Sequence, residues 1–360
     1  METLTVKLPN YTIGEDAIYK LSKIVDKYGN RVLIAGGKTA LEKTKDKILT
    51  ALNKSNTTYH DFMWYGGECT YHNMEEIKNT AQENDFNLII GVGGGKAIDT
   101  AKGAAEKIGI PNITIPTIAS TCAATTALSV VYTEKGDFDS IYLLKNTPKH
   151  ILIDTKIIAE SPWRYQWAGI GDTLAKYYEV DLASRNKKLS YSPLLGKEIS
   201  YLCKGPLVEY GEKALKDNKN KETSFELEQV ILSNIINTGL VSLLVGDENN
   251  GAAAHGLFYG MTLLEEIEKN HLHGEVIAYG ILVMLMMDGN KDEVLELCKF
   301  YKKINLPTCL ADIGLGSDDM TYLEPVIEKA LDAPDMKKMP CEITKDKLLS
   351  AILALEKLNK

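Results

Sequence analysis

The chain has 360 residues, of which 44% are apolar and 25% are charged. This composition is ordinary for a soluble globular protein with room for two domains, and it excludes a disordered or repetitive polymer. The formal net charge of −8 argues against a general nucleic-acid or anionic-membrane surface, so we expect a small-molecule partner.

The N-terminal sequence, the apolar runs and the cysteines indicate the cellular compartment of the protein. The N-terminus lacks the sections of a signal peptide, and no apolar run approaches the ~18 residues that span a bilayer. Six cysteines are scattered without a C-x-x-C pair, which fits reduced thiols. We therefore expect a cytoplasmic protein with no membrane partner.

The first 160 residues alternate short apolar runs with helical stretches. Such alternation predicts a Rossmann-like parallel sheet with helices on both faces, whose ligand sites lie beyond the carboxyl ends of the strands. The predicted elements are strand Arg31–Ala35, helix Lys38–Lys54, strand Tyr59–Tyr65, helix Met74–Asn84, strands Phe86–Ile90 and Asn112–Pro116, a β-hairpin between Ser129 and Leu144, and strand His150–Asp154.

After Pro162 strand-like runs nearly vanish, and helical patterns continue to the end of the chain. We therefore place a boundary at residue 160, between an α/β domain (1–160) and an all-α helical bundle (161–360). The helices predicted here are Gly169–Glu179, Phe225–Gly246, Gly251–Glu268, Gly274–Met287 and Lys291–Ile304.

A glycine-rich turn, Gly91-Val-Gly-Gly-Gly-Lys96, joins the strand at 86–90 to a helical stretch. Glycines allow close backbone approach, and the helix N-terminus and Lys96 favour a phosphate. The strict dinucleotide fingerprint fails because Lys96 replaces its third glycine, and the P-loop fails because Ala97 replaces Ser or Thr. A tight turn without a ligand is the alternative.

Three of the six histidines lie between residues 255 and 273. Asp172 begins an otherwise apolar helical segment, where an unpaired carboxylate would be costly. Asp172 and two of the histidines would form a metal site that leaves a position open for substrate. As alternatives, Asp172 could cap its helix and His255 could be a core histidine, while spacing does not separate His271 from His273.

Other polar residues have simple structural explanations beside the functional ones. Asp99 and Lys102 could form a helix-surface ion pair, and Ser129 and Tyr132 could serve packing in a strand. A hydroxyl-rich segment follows the strand at 112–116, where either cofactor contacts or turn chemistry would explain it. Its members are Thr117, Ser120, Thr121, Thr125 and Thr126.

Several motifs in register resemble the iron-containing alcohol dehydrogenase superfamily, specifically its glycerol dehydrogenase branch. The resemblance extends over nearly the entire chain and implies a dehydroquinate synthase-like fold. The motifs are Gly67-Glu68-Cys69, GVGGGKAIDTAK at 91–102, PTIAST at 116–121, ALSVVYT at 127–133, AGIGDTLAKYYE at 168–179, GAAAHG at 251–256 and HGEVIAYGILV at 273–283.

The resemblance implies that Asp172, His255 and His273 bind a catalytic divalent metal in the second domain. The metal is zinc in most of this branch and iron in related proteins, and His273 is preferred to His271 because it precedes Gly-Glu. The resemblance also implies a homo-oligomer and NAD or NADP as cofactor. The cofactor-binding residues it implies in the first domain are Gly94, Gly95, Lys96, Asp99, Thr117, Ser120, Thr126, Leu128 and Tyr132.

Three residues depart from the glycerol dehydrogenase pattern. An acidic residue that would bind the adenosine ribose is replaced by Gly36, so NADPH is expected to be tolerated or preferred. A substrate-binding aspartate is replaced by Cys122, in a Thr-Cys-Ala-Ala sequence that resembles the hydroxycarboxylate dehydrogenases. A second histidine, common three residues after His255, is Phe258.

These observations predict a metal-dependent NAD(P)(H) oxidoreductase that interconverts a small alcohol, either a 2-hydroxy acid or a polyol, and its carbonyl. The first alternative is glycerol dehydrogenase proper, which would oxidise glycerol to dihydroxyacetone with NAD. The second is a lyase of the dehydroquinate synthase type, and the third is a nucleotide-binding module without catalysis.

Overall fold

The computed structural model describes residues 5–55, 57–59, 62–316 and 320–358. Its strands are β1 (Asn10–Gly14), β2 (Arg31–Gly36), β3 (Thr58–Tyr59), β4 (Met63–Trp64), β5 (Leu88–Gly93), β6 (Asn112–Pro116), β7 (Leu128–Tyr132), β8 (Phe138–Leu143) and β9 (His150–Asp154). Its α-helices are α1 (Leu21–Val25), α2 (Lys38–Leu52), α3 (Tyr71–Glu83), α4 (Gly95–Ile108), α5 (Thr155–Ala159), α6 (Trp163–Ala183), α7 (Tyr191–Ser200), α8 (Gly205–Asn220), α9 (Phe225–Leu232), α10 (Thr238–Leu244), α11 (Ala253–Met261), α12 (Glu265–Asn270), α13 (His273–Met287), α14 (Lys291–Ile304), α15 (Leu323–Asp332) and α16 (Lys345–Leu358).

The chain packs into two compact units. The first contains residues 1–163 and 216–243, and the second contains residues 164–215 and 244–360. The structural division thus falls close to the predicted boundary at residue 160. It differs from the predicted division in the segment 216–243, which belongs to the first unit.

The first unit is built on a parallel sheet with the strand order β1-β9-β6-β5-β2-β3, and β4 also pairs with β2. Successive side chains of β2 and β5 alternate between two hydrophobic clusters, since Ile34 and Ile90 lie in one cluster and Leu33 and Ile89 in the other. Both faces of the sheet are therefore buried, as expected for a parallel sheet covered by helices. This confirms the predicted α/β fold class.

Most predicted strands are present, with shifted ends. The glycine turn continues strand β5, which ends at Gly93. The predicted strand Tyr59–Tyr65 is two short strands, and residues 60 and 61 lie outside the described residues. The predicted hairpin is β7 paired antiparallel with β8, with Leu128 opposite Leu143. Strand β1 was not predicted, although it pairs in parallel with β9.

Among the described residues, the helical stretch Phe225–Leu244 is long and apolar enough, by length and composition alone, to cross a membrane. This contradicts our expectation that no apolar run reaches that length. Its apolar residues have a packing role, because 61% of the most apolar window is buried. The Asn234 amide donates to the Ala119 carbonyl at 2.9 Å, and the Thr125 hydroxyl donates to the Ile235 carbonyl at 2.7 Å.

The second unit is mostly helical. Helix α13 is buried on nearly all sides and packs against α11, α14 and α16, while α11 also packs against α15. A helix that is apolar around its circumference belongs at the centre of such a bundle. The predicted all-helical bundle is confirmed for this unit.

Candidate active site

Two glycines bring helices α6 and α13 into backbone contact. A Cβ atom at Gly274 would lie 1.9 Å from the Ala168 carbonyl oxygen, and one at Gly171 would lie 2.1 Å from the Gly274 carbonyl oxygen. No side chain fits at either position, so the helices cross where their backbones touch. The residues next to these glycines, Asp172 and His273, are therefore brought together.

A second close crossing positions the remaining histidine. A Cβ atom at Gly280 of α13 would lie 2.8 Å from the Ala254 carbonyl oxygen of α11. His255 follows Ala254 directly, near the start of α11. Helix α13 thus contacts both helices that carry the other two ligand candidates.

Asp172, His255 and His273 form one group, with ligand atoms that all lie within 4.8 Å of one another. The Asp172 Oδ1 atom lies 3.6 Å from His255 Nε2 and 3.3 Å from His273 Nε2. The Asp172 side chain is 11% exposed, whereas that of His273 is 41% exposed. The group is therefore accessible from the side of His273.

The structure also decides between readings that the sequence left open. Asp172 lies inside the helix Trp163–Ala183 and not at its N-terminus, so it is not an N-cap. His271 lies outside this group: its Nδ1 is 2.9 Å from Glu275 Oε1. Of His271 and His273, the one that lies beside Asp172 is therefore His273.

The charges of the group favour a divalent cation. Burial alone would raise the pKa of Asp172, but the neighbouring imidazoles of His255 and His273 hold it well below its usual range. Burial alone would lower the pKa of His255, but Glu179 and Asp172 raise it to about 10. Two buried carboxylates thus surround one imidazole, and this environment stabilises positive charge.

The donor set fits a catalytic metal. One carboxylate oxygen and two imidazole nitrogens are ligands common to zinc and to other first-row divalent ions. Three protein ligands leave a coordination position for substrate, and the exposed edge of His273 lies on the accessible side. Asp172, His255 and His273 are therefore the residues that would hold the ion.

The glycine turn of the first unit connects β5 to α4. Gly93 has φ +146°, which side-chain-bearing residues rarely adopt. Gly94 is the N-cap of α4, and a Cβ atom there would lie 2.7 Å from Ile118 Cδ1. The backbone at Gly94 and Gly95 therefore lies against the segment that follows β6. The exposed N–H groups of a helix N-terminus at this point suit a pyrophosphate.

Lys96 lies on this turn with two partners. Its Nζ is 2.5 Å from Glu68 Oε2 and 4.6 Å from the centre of the Tyr132 ring. Lys96 and Tyr132, both predicted cofactor residues, are therefore neighbours. Glu68 belongs to the Gly-Glu-Cys motif, but the sequence alone gave it no role.

Asp99 and Lys102 are a buried ion pair, so a pairing on the helix surface is wrong. Lys102 Nζ lies 2.8 Å from Asp99 Oδ1, and the Lys102 side chain is 0% exposed. The other Asp99 oxygen accepts the Val130 N–H at 3.0 Å. Asp99 thus lies beneath the predicted cofactor turn with both oxygens engaged by the protein.

The remaining predicted residues of the first unit lie on the segment after β6. The Thr117 N–H donates to the Gly93 carbonyl at 3.0 Å, which ties this segment to the glycine turn. Ser120 is half-buried there, and the Cys122 carbonyl accepts the Thr125 N–H at 2.8 Å. Thr126 and Leu128 complete the segment, and both carbonyls accept from the Lys102 ammonium.

In this chain the space for an acidic side chain is beside Gly36 and not at Gly36 itself. A Cβ atom at Gly36 would lie 2.3 Å from the Val92 carbonyl oxygen, so no carboxylate fits there without a backbone shift. At Gly37 the nearest atoms would be 3.8 Å away, and φ −71° with ψ 144° suits any residue. Gly37, the N-cap of α2, is therefore the position that can carry such a side chain.

Comparison with known proteins agrees with this architecture. A family model described as iron-containing alcohol dehydrogenase matches residues 9–155. Glycerol dehydrogenase of Thermotoga maritima is 33% identical, with 100% of this chain and 98% of that protein covered. Hydroxycarboxylate dehydrogenase A of Escherichia coli is 32% identical, with 92% of this chain and 91% of that protein covered.

The structural comparison gives the same family. A crystal structure of glycerol dehydrogenase from Schizosaccharomyces pombe has a TM-score of 0.88 and 28% identity, with 99% of this chain and 91% of that chain covered. The chain is thus a metal-dependent, NAD-linked oxidoreductase that acts on CH–OH groups. It belongs to the glycerol dehydrogenase branch of the iron-containing alcohol dehydrogenase superfamily.

Proposed function

We propose that this enzyme interconverts a small 2-hydroxy acid and its 2-oxo acid by hydride transfer, with zinc at Asp172, His255 and His273. The grouping of these three ligand atoms within 4.8 Å is the observation that carries the proposal. A bound divalent ion supplies a Lewis acid that stabilises negative charge on the reacting oxygen. Zinc is proposed over iron because the glycerol dehydrogenase branch that the chain resembles mostly uses zinc, whereas the ligand set alone would suit either ion.

The residues of each unit have distinct roles in this proposal. Asp172 contributes the negative charge that holds the ion, and the two histidines contribute neutral nitrogen ligands. The exposed edge of His273 leaves the site open to substrate. In the first unit the α4 N-terminus, with Lys96 beside it, binds the cofactor pyrophosphate and so fixes the nicotinamide that gives or accepts hydride.

Cys122 favours an acid over a polyol. A 2-hydroxy acid carries a carboxylate next to its hydroxyl and can bind a metal through both oxygens, so it needs no acidic partner at residue 122. Glycerol would lack a hydrogen-bond acceptor there, because a thiol is a weak acceptor. The 32% identity to hydroxycarboxylate dehydrogenase A supports this choice. The 33% identity to a glycerol dehydrogenase makes glycerol oxidation with NAD the second candidate.

The adenosine end of the site favours NADP(H). Gly37 places no carboxylate at the carboxyl end of β2, so this residue does not repel a 2′-phosphate. Lys38 follows at the first position of α2, with its ammonium 4.1 Å from the centre of the Trp64 ring. A cation and a helix N-terminus are both favourable for a phosphate group.

The proposal also covers the cellular location and the oligomeric state of the enzyme. The six cysteines are scattered without a C-x-x-C pair, and the chain has a net charge of −8; both features support a cytoplasmic protein that binds neither nucleic acid nor membrane. A homo-oligomer follows from the resemblance to the glycerol dehydrogenase branch. Light scattering of the purified protein would measure the assembly directly.

A steady-state assay with both cofactors tests the substrate. Zinc-reconstituted enzyme is expected to reduce 2-oxobutyrate with NADPH, and to act on glycerol and dihydroxyacetone with a much lower kcat/KM. Strong glycerol oxidation with NAD alone would contradict both the substrate and the cofactor proposals, and would leave glycerol dehydrogenase as the function.

Replacement of a ligand tests the metal site. His273→Ala is expected to lower kcat by at least about 100-fold and to reduce bound zinc, because loss of a direct ligand costs more than loss of an outer contact. His271→Ala is the matched control, since His271 bonds to Glu275 and lies outside the ligand group. Full activity and full zinc content in His273→Ala would refute the assignment.

A further inference from the structure

A buried carboxylate of the second unit contacts one of the proposed ligands from behind. The Glu179 side chain is 0% exposed, and its Oε2 lies 2.7 Å from His255 Nδ1. Its Oε1 accepts the backbone N–H of the same histidine at 2.9 Å. Both oxygens of Glu179 are therefore directed at His255.

The position of Glu179 follows from the helix that also carries Asp172. The two residues are seven apart on α6, which is close to two helical turns, so they project from the same face. His255 lies between them, with Nδ1 toward Glu179 and Nε2 3.6 Å from Asp172 Oδ1. One helix face thus contacts both ring nitrogens of the histidine.

A purely structural role does not explain the charge at this position. If Glu179 only attached the start of α11 to α6, a neutral acceptor such as a glutamine amide would be enough, because it would also accept the His255 backbone N–H. A fully buried carboxylate instead carries a desolvation penalty of several kcal/mol. Lys176 compensates part of this charge, but both carboxylate oxygens contact His255, so the imidazole is the group on which the ionised side chain acts directly.

We propose that Glu179 is a positioning residue for the metal site: it keeps a proton on Nδ1 of His255, so that the Nε2 lone pair is directed at the ion. For the neutral imidazole that binds a metal, an acceptor-only carboxylate permits only the tautomer with hydrogen on Nδ1. It also fixes the ring orientation and makes Nε2 more electron-rich. This inference rests on the metal site of the proposed function.

The other histidine is oriented by different means. The Phe258 ring packs edge-on against the His273 ring, with centroids 4.3 Å apart and planes at 83°. His273 is also the more exposed of the two histidines, at 41% against 14%. A carboxylate therefore positions the more buried ligand, His255. Glu179→Gln is expected to weaken metal binding through this histidine.

Zinc binding to the purified full-length protein tests the proposal. In Glu179→Gln, the amide still accepts the His255 backbone N–H but places an N–H donor against Nδ1, which favours the wrong tautomer. The zinc dissociation constant is expected to rise about 10- to 100-fold. The electronic absorption spectrum of the cobalt-substituted protein is expected to change as well, since a reoriented imidazole alters the ligand field.

Glu356→Gln is the matched control. Glu356 is also a buried glutamate of the second unit, and its Oε1 accepts one backbone N–H, from Leu310 at 3.0 Å, and one side-chain donor, the Tyr279 hydroxyl, at 3.1 Å. Neither of these two donors belongs to the ligand group. The zinc affinity and cobalt spectrum of Glu356→Gln are expected to match those of the wild type. This control distinguishes the general effect of removing a buried carboxylate from the specific effect of removing Glu179.

The outcomes separate this inference from the proposed function. Wild-type protein that binds no zinc or cobalt would refute the metal site itself. Wild-type protein that binds zinc, together with a Glu179→Gln variant of equal affinity and unchanged cobalt spectrum, would refute only the role of Glu179. If Glu179→Gln does not fold without metal, Glu179→Asp retains the charge but is too short to reach both His255 donors, and wild-type zinc affinity in that variant would equally refute the role.

Discussion

At the scale of single residues, glycines determine which functional side chains become neighbours and where a new side chain would fit. Gly171 and Gly274 have no room for a Cβ atom, and their contact makes Asp172 and His273 neighbours. Gly36 and Gly37 are adjacent in sequence but differ in the space available for a Cβ atom. Only Gly37 has open space at the carboxyl end of β2, so cofactor preference can change there without disturbing the sheet.

Gly37→Asp is expected to shift cofactor preference toward NAD. The new carboxylate would be an N-cap for α2, would bond to the adenosine ribose hydroxyls and would repel a 2′-phosphate. The ratio of kcat/KM for NADP(H) to that for NAD(H) should fall at least about tenfold, a change of ~1.4 kcal/mol. Steady-state kinetics with both cofactors at saturating substrate measure it.

Gly36→Asp is the control for this substitution. Its Cβ would lie 2.3 Å from the Val92 carbonyl oxygen, so this variant is expected to lose stability without the selective change in cofactor use. An unchanged cofactor ratio in a well-folded Gly37→Asp protein would mean that the ribose does not bind near residue 37.

At the scale of elements, helix α4 is held by one buried lysine. The Lys102 ammonium bonds to Asp99 on its own helix and donates to the carbonyls of Ala123 at 2.7 Å and Leu128 at 2.5 Å. It thereby ties the helix that begins at the glycine turn to the segment that carries Thr126 and Leu128. A charge at this position holds together two parts of the predicted cofactor site.

Lys102→Met is expected to destabilise the protein by about 3–5 kcal/mol, because it leaves the Asp99 carboxylate buried without its cation. Urea unfolding monitored by circular dichroism measures the loss. The double variant Asp99→Asn/Lys102→Met, which removes both charges, should recover part of it, since no unpaired charge then remains.

The control lies on the same helix. Lys107 is partly exposed and pairs with Glu75 at 3.3 Å, so Lys107→Met is expected to cost less than about 1 kcal/mol. Equal effects of the two lysine substitutions would contradict the central role of Lys102.

At the scale of the whole molecule, sequence patterns predicted the type of each unit and most strands correctly. Hydrophobic runs give a parallel sheet directly, because strands buried on both faces are continuously apolar. Patterns of this kind do not report which segments meet. Contacts between residues distant in sequence determine the burial of the Asp99–Lys102 pair, the partnership of Glu179 with His255 and the inclusion of 216–243 in the first unit.

The segment 216–243 supplies contacts that the sheet unit needs. The Asn218 amide donates to the Ala159 carbonyl at 2.8 Å and the Asn234 amide to the Ala119 carbonyl at 2.9 Å, while the Thr125 hydroxyl donates to the Ile235 carbonyl. Without the segment, these polar groups of the sheet unit would lose their protein partners and bond to water instead. The apolar face of the sheet unit that this segment covers would also meet water.

A fragment of residues 1–163 is therefore expected to aggregate or to unfold without a cooperative transition, although it contains the complete parallel sheet. A second fragment that joins residues 1–163 to 216–243 should show a cooperative thermal transition by circular dichroism. Lys219 Nζ lies 4.1 Å from the centre of the Trp163 ring, so the junction is short, and about eight Gly and Ser residues span roughly 16 Å. A stable, soluble fragment 1–163 would mean that the segment 216–243 only covers a unit that folds without it.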